Sequence, residues 1–236
     1  MYRVRTLLAA IIFFFSAFSA SAKATSDSVS DVKKVTNFTI IKIKGNFNVV
    51  LTQAKECSLK VVAADKDAMA GIDIKNAGTQ LVINAKEGSK GAGTIYIGVK
   101  ELLQLTVTTN GTVTSTNQIN TDVLALNIDG DAVVKLDLDV KELTYTDNSN
   151  KSIVLTGKIK KCTLKDNGEA SIDASGMKTD DMTIEDTSDG DLKVNVRSNM
   201  QVKIGGSGNL TYFGKPTNKV VKVQGSASES QIIEGK

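Results

Sequence analysis

The sequence predicts an all-β protein whose second half is a parallel β-helix, a solenoid of stacked coils. Runs of alternating apolar and polar residues, rich in Val, Ile and Thr and broken by Gly, Asn and Asp, are typical of β-strands. The 236 residues contain only one Pro, and the one stretch of helical composition, 65–70, is a single turn at most. Residues 99–236 repeat seven times at a period of 19 or 20 residues, which is typical of a solenoid.

Residues 1–22 have the pattern of a cleaved secretory signal peptide. Arg3 and Arg5 precede an apolar run at 7–15, and small residues then end at 20–22 in an A-x-A cleavage signal. The run is shorter than the ~20 residues that span a bilayer, and no second apolar stretch of spanning length follows. The sequence therefore predicts an exported protein, periplasmic, on the cell surface or secreted, with no membrane span in its mature chain. A retained N-terminal anchor is the alternative.

Two segments separate the signal peptide from the repeats. Residues 23–34 are small and polar and are predicted to form a flexible lead. Residues 35–98 contain strand patterns at irregular spacing. The two ends of a β-helix expose sheet edges that need a cover, and terminal repeats are atypical for this reason. We therefore expect residues 35–98 to form irregular coils that cap the N-terminal end.

The repeats of residues 99–236 share one motif. Two apolar residues lie two positions apart, and a Gly, Ser or Ala follows six residues after the first. In stacked coils the inward positions pack like on like, about 4.8 Å apart, and the small residue allows the backbone to turn. An antiparallel sandwich or barrel with two strands per period is the alternative. The first apolar residues of the seven repeats are Leu105, Leu124, Leu143, Cys162, Met182, Val202 and Val221.

The composition excludes several classes of function. The chain has no His, which excludes Ser-His-Asp and Cys-His catalysis and metal sites that need imidazole. Removing Arg3 and Arg5 with the signal peptide lowers the formal net charge from +3 to +1, which argues against nucleic acid as a partner. The lysines at 158–165 form a local basic patch, which acids one coil away are expected to balance.

Three aspartates are the strongest candidates for a site. Asp147, Asp166 and Asp186 occupy the same position in three successive repeats. If the coils stack, each carboxylate lies within ~5 Å of the next, where like charges raise one another's pKa or attract a cation. We favour a structural role, in which each side chain caps a corner by accepting a hydrogen bond from the backbone two residues on. No metal site or cofactor is therefore predicted, and a Ca²⁺ site is the alternative.

The two cysteines are predicted to be unpaired. Cys162 occupies an inward position and is expected to be a small core residue, whereas Cys57 lies in a polar turn. A disulfide between them would stabilise the fold in an oxidising compartment. Nothing in the sequence places the two residues within reach of each other, so we do not expect this bond.

Segments near both ends of residues 35–236 resemble a known family. They are the strand 47–53 (FNVVLTQ), the strand 81–83 (LVI) and the segment 205–216 (GGSGNLTYFGKP), and the small-residue corners match as well. Together they resemble the putative auto-transporter adhesin, head GIN domain family. The resemblance implies a right-handed β-helix in an exported bacterial protein, and it brings no catalytic residues.

The sequence thus favours a non-enzymatic binding or structural module of the bacterial cell envelope. A glycan, an envelope protein, or copies of the chain meeting through the solenoid ends all stay open as partners. The alternative is a β-helical polysaccharide-degrading enzyme such as a lyase. The repeats vary by a single residue, which leaves no inserted loop to build a cleft. After residue 22, Arg197 is also the one arginine that could clamp a uronate carboxylate.

Overall fold

The computed structural model describes residues 28–89 and 91–236. The predicted signal peptide, residues 1–22, lies outside the described residues, as does the first part of the predicted lead, 23–27. No helix in the described part of the chain is long and apolar enough to cross a membrane. The described residues form one continuous sheet of sixteen strands, wound into stacked coils.

The first nine strands and one short helix build the N-terminal end. Asp65 caps the helix, because its Oδ1 accepts a hydrogen bond from the backbone N–H of Ala68 at 2.7 Å. The elements are β1 (Val29–Lys33), β2 (Ile40–Gln53), β3 (Ser58–Ala63), α1 (Lys66–Ala70), β4 (Ile72–Ala77), β5 (Gln80–Ala85), β6 (Ala92–Val99), β7 (Gln104–Thr109), β8 (Thr112–Ser115) and β9 (Ile119–Gly130).

The remaining strands continue the stack. Strands β9 to β13 each pair in parallel with the next strand in the sequence, so the antiparallel sandwich is wrong for the repeats. Val134 stacks on Ile153 and Ile153 on Ile172, which confirms the 19-residue period. The elements are β10 (Val133–Ser149), β11 (Ile153–Asp166), β12 (Ile172–Asp186), β13 (Leu192–Ile204), β14 (Leu210–Phe213), β15 (Asn218–Val223), a 3₁₀ helix (Glu229–Gln231) and β16 (Ile232–Glu234).

The predicted alignment of the repeats is wrong at two junctions. Leu105 stacks on Leu126, two residues beyond the predicted Leu124. Met182 stacks on Met200, two residues before the predicted Val202. The shift occurs at irregularities in the pairing of β12 with β13. A shift of two residues leaves the same side chains pointing inward, because side chains alternate with a period of two along a strand. The hydrophobic pattern therefore could not distinguish these alignments.

The N-terminal end has a coil order that differs from the chain order. Strand β2 stacks between the coil formed by β5 and β6 and the coil formed by β7 and β8. Strands β3 and β4 then close this end by pairing antiparallel with β6 and β5. The prediction of a flexible lead is wrong for Val29–Lys33, because these residues form β1, which pairs antiparallel with β3. This pairing provides hydrogen-bond partners for the backbone groups at the outer edge of β3.

The core runs through the middle of the coils as columns of aliphatic side chains. Ile43, Val107 and Ile128 form one such column, each at most 2% exposed. Burying a side chain of this size stabilises the fold by roughly 1.5–3 kcal/mol. Phe38 and Phe47 are fully buried near the N-terminal end. Aliphatic stacking therefore stabilises most of the solenoid.

Replacing Gly157 by Ala should destabilise the stack strongly. Gly157 has a φ of 115°, and a Cβ atom there would overlap the carbonyl oxygen of Leu138 in the neighbouring coil. We expect a loss of about 3 kcal/mol in the free energy of unfolding, measured by urea denaturation. Gly78→Ala is the matched control, because Gly78 also has a positive φ but open space around it. It should lose about 1 kcal/mol, and equal losses would contradict the overlap.

Candidate functional site

The three predicted aspartates form a column inside the solenoid. Asp147 stacks on Asp166 and Asp166 stacks on Asp186, and none of the three side chains is more than 1% exposed. The column continues with Ile128 on one side and Ile204 on the other. Three carboxyl groups, here called the aspartate column, thus occupy positions that are aliphatic in the flanking coils.

Each carboxyl group of the aspartate column is bonded to the backbone of its own corner. The contact is the one expected from the turn chemistry, an N–H donated by the residue two positions further on. Among the described residues, no set of three or more His, Cys, Asp or Glu side chains could hold a metal ion together. The bonds run from Ser149 N to Asp147 Oδ2 (3.2 Å), from Gly168 N to Asp166 Oδ1 (3.1 Å) and from Ser188 N to Asp186 Oδ1 (2.9 Å).

Side-chain hydroxyl groups support two of the three aspartates. Ser149 Oγ lies 3.0 and 3.1 Å from the two carboxylate oxygens of Asp147, and Tyr145 Oη donates to Asp147 Oδ1 at 3.0 Å. Ser188 Oγ donates to Asp186 Oδ1 at 2.8 Å. The contacts of these hydroxyls with the aspartates were not predicted from the sequence. A Ser two residues after the Asp is the signal that could have identified two of them.

Two oxygens of the aspartate column have no hydrogen-bond partner among the described residues. They are Oδ2 of Asp166 and Oδ2 of Asp186. A buried oxygen without a donor makes the charged carboxylate costly, so the neutral form is favoured. Burial, together with the neighbouring charges of Asp186 and Asp147, raises the pKa of Asp166 to about 7. Burial also raises the pKa of Asp147 and Asp186.

The stability of the protein should therefore fall as the pH rises from about 4 to about 7. Asp166 titrates near 3.8 when unfolded and near 7 when folded, so the folded state binds more protons in this range. The loss in free energy of unfolding should be on the order of 4 kcal/mol, measured by urea denaturation at a series of pH values. Asp166→Asn should remove most of this slope and stabilise the protein at pH 8.

Asp173→Asn is the control for this experiment. Ser175 donates a hydrogen bond to Asp173, and this contact lowers the pKa of Asp173. The stabilisation that Asp173 contributes to the folded state is present above its ordinary pKa and is lost as the pH falls. This pH dependence is opposite in sign to that of Asp166. Asp173→Asn should leave the slope between pH 4 and 7 unchanged. An Asp166→Asn variant that keeps the full slope would contradict the assignment to the aspartate column.

The two cysteines are free in the structure. Cys162 is 1% exposed and stacks between Leu143 and Met182, as expected for a core residue. Burial raises the pKa of its thiol to about 12. Cys57 is half-buried near the N-terminal end, and its Sγ lies 3.5 Å from the carbonyl oxygen of Phe38.

Cys162 should resist alkylation in the folded protein. The reactive species is the thiolate, and both burial and the raised pKa keep Cys162 protonated and shielded. We expect iodoacetamide at pH 8 to label Cys162 only after unfolding in urea, measured by mass spectrometry of tryptic peptides. Cys57 is the internal reference and should be labelled first. Labelling of Cys162 at the rate of Cys57 under native conditions would contradict its place in the core.

The surface of the described residues includes two concavities. The larger, here called the alanine cleft, has a volume of about 830 Å³ and lies beside α1 at the N-terminal end. Asp65 and Asp67 are among the residues that line it. The lining is mostly small and apolar, with Ala64, Ala68, Ala85 and Ala92.

The smaller concavity, here called the corner groove, has a volume of about 240 Å³ and crosses strands β9 to β13. Two ion pairs mark its ends. Lys141 Nζ lies 2.8 Å from Asp122 Oδ1, and Arg197 pairs with Asp180. The groove is lined by these four residues together with Asn120, Thr121, Asp139, Val140, Lys158, Ile159 and Lys160.

The stacked parallel coils and the short turns between them define a β-solenoid protein. Within that class, the chain belongs to the putative auto-transporter adhesin, head GIN domain family, whose model matches residues 37–216. No curated protein matches the chain.

Solved structures share the fold. A putative adhesin from Bacteroides fragilis NCTC 9343 is similar with a TM-score of 0.80 and 19% identity, over 89% of this chain and 97% of that chain. A putative lipid binding protein from Parabacteroides distasonis ATCC 8503 has a TM-score of 0.66 and 18% identity, over 89% and 98%. A putative adhesin from Parabacteroides merdae ATCC 43184 has a TM-score of 0.60 and 17% identity, over 89% and 97%. At these identities the likeness concerns the fold.

Proposed function

We propose that this chain is an exported, non-enzymatic binding module of the bacterial cell envelope. Membership of an adhesin family and the signal-peptide pattern of residues 1–22 support this proposal. The observation that carries it is the uniformity of the coils. From β9 to β14, the strands are joined by connections of only two to five residues, so no long loop rises above the surface to enclose a substrate.

The ionisable groups also argue for binding without catalysis. The groups with raised pKa values are those of the aspartate column together with Tyr145 and Cys162, and all of them lie in the interior, where a substrate cannot reach them. The carboxylates at the ends of the corner groove are held in ion pairs with Lys141 and Arg197. A general acid or base has to reach the proton that it transfers.

Binding of an apolar ligand in the alanine cleft is a second candidate function. The volume of the cleft falls in the range of small-molecule pockets, roughly 300–1,000 Å³. One relative of similar fold is named a putative lipid binding protein. Ala64 lies on the surface of this cleft, so Ala64→Trp should fill it without disturbing the core.

The test combines binding and turnover on the chain from Lys23 onward. The protein is used to capture ligands from a glycan array and from an envelope-protein extract, and is incubated with uronic-acid polymers to assay lyase activity. We expect capture of a glycan or an envelope protein without turnover, and Ala64→Trp should leave that capture unchanged. Turnover of a polymer would contradict the non-enzymatic proposal. Binding of a fatty acid that Ala64→Trp abolishes would favour the second candidate.

A further inference from the structure

Two lysines of the corner groove form no ion pair with the carboxylates of the described residues. Lys158 and Lys160 lie exposed on β11, between the ion pairs at the two ends of the groove. Within residues 28–89 and 91–236, neither lysine forms an ion pair within 4 Å. Asp122 and Asp180, in contrast, already have cationic partners. The middle of the groove is therefore the part that can accept an anion.

The stacking of coils sets the charges beside these lysines. Lys158 lies opposite Asp139 in one neighbouring coil and opposite Lys178 in the other. Adjacent coils are about 4.8 Å apart, so Lys158 has one anionic and one cationic neighbour along the solenoid axis, and Lys158 and Lys178 form a pair of adjacent cations. Val140 and Ile159 also line the groove, but both are almost fully buried, so they offer a ligand little surface and the charged side chains are the groups that it can contact.

We infer that the corner groove binds an acidic glycan, whose carboxylate or sulfate groups are held by Lys158 and Lys160. This inference rests on the proposed function and names the ligand class of that binding module. Each ammonium group provides three hydrogen-bond donors for an anionic oxygen. The lining of the groove contains no aromatic side chain, whereas single-stranded nucleic acid binds on aromatic platforms. Among linear polyanions, the groove is therefore suited to a glycan.

The test is a calorimetric titration at low salt with three probes of equal length. They are an oligogalacturonate for the carboxylate, a sulfated chondroitin oligosaccharide for the sulfate and a neutral malto-oligosaccharide. We expect one of the two acidic probes to bind and the neutral probe not to bind. Raising the salt concentration should weaken the binding.

A pair of charge-reversal variants locates the site. Lys158→Glu with Lys160→Glu should weaken binding of the acidic probe at least tenfold. The control is Lys135→Glu with Lys193→Glu, which makes the same change of net charge at exposed positions outside the groove, and it should change binding less than twofold. Thermal unfolding checks that both variants fold. If the first does not, Lys158→Gln with Lys160→Gln replaces it and should weaken binding at least threefold.

The outcomes separate this inference from the proposed function. Equal loss in both double variants, equal affinity for the neutral probe, or no binding of either acidic probe would overturn the assignment of the groove. If an envelope protein or neutral glycan is still captured in that case, the proposed function stands. Turnover of the oligogalacturonate would overturn the proposed function itself.

Discussion

The structure depends on one constraint, the parallel hydrogen bonding of each coil to the next. Because successive coils pair in register, each side chain lies against the equivalent side chains one coil below and one above. At inward positions this favours columns of Val, Ile and Leu, whose burial drives folding. It also means that an unusual residue at an inward position has to be accommodated by its two neighbours in the column.

In the aspartate column, the in-register stacking of coils places like charges close together, which is electrostatically unfavourable. Stacking brings three carboxyl groups together in the interior, although isolated buried charges are costly. The structure reduces this cost in two ways. The corner N–H groups and the hydroxyls of Ser149 and Ser188 solvate the carboxylates, and the raised pKa of Asp166 allows it to hold a proton near neutral pH. The perturbed carboxyl groups of the aspartate column thus serve the turns of the backbone, so a perturbed pKa here does not indicate catalysis.

The sequence was sufficient to predict the solenoid, because a period of 19 or 20 residues with equivalent contents is seldom produced by another architecture. Three features of the fold could not be predicted from the sequence. The pairing of Leu105 with Leu126 preserves the same inward pattern as the predicted pairing. The antiparallel strands β3 and β4 alternate just as parallel strands do, so the order of coils at the N-terminal end was hidden. Strand β1 is short and polar, and it forms because the edge of β3 is available.

The division between inward and outward positions explains why the site was harder to predict than the fold. Inward residues are fixed by packing, and their pattern is readable as a period. Outward residues face water, and packing does not restrict which residue types occur there. Their sequence shows which of them are charged, but it does not show which charges lie next to each other until the register between coils is known. The register shows that Lys161 lies between two acids, Glu142 and Asp181, as the expected charge balance requires, whereas Lys158 lies between one acid, Asp139, and one lysine, Lys178. Relatives with the same fold and low identity can therefore keep one interior and differ in what their outer columns bind.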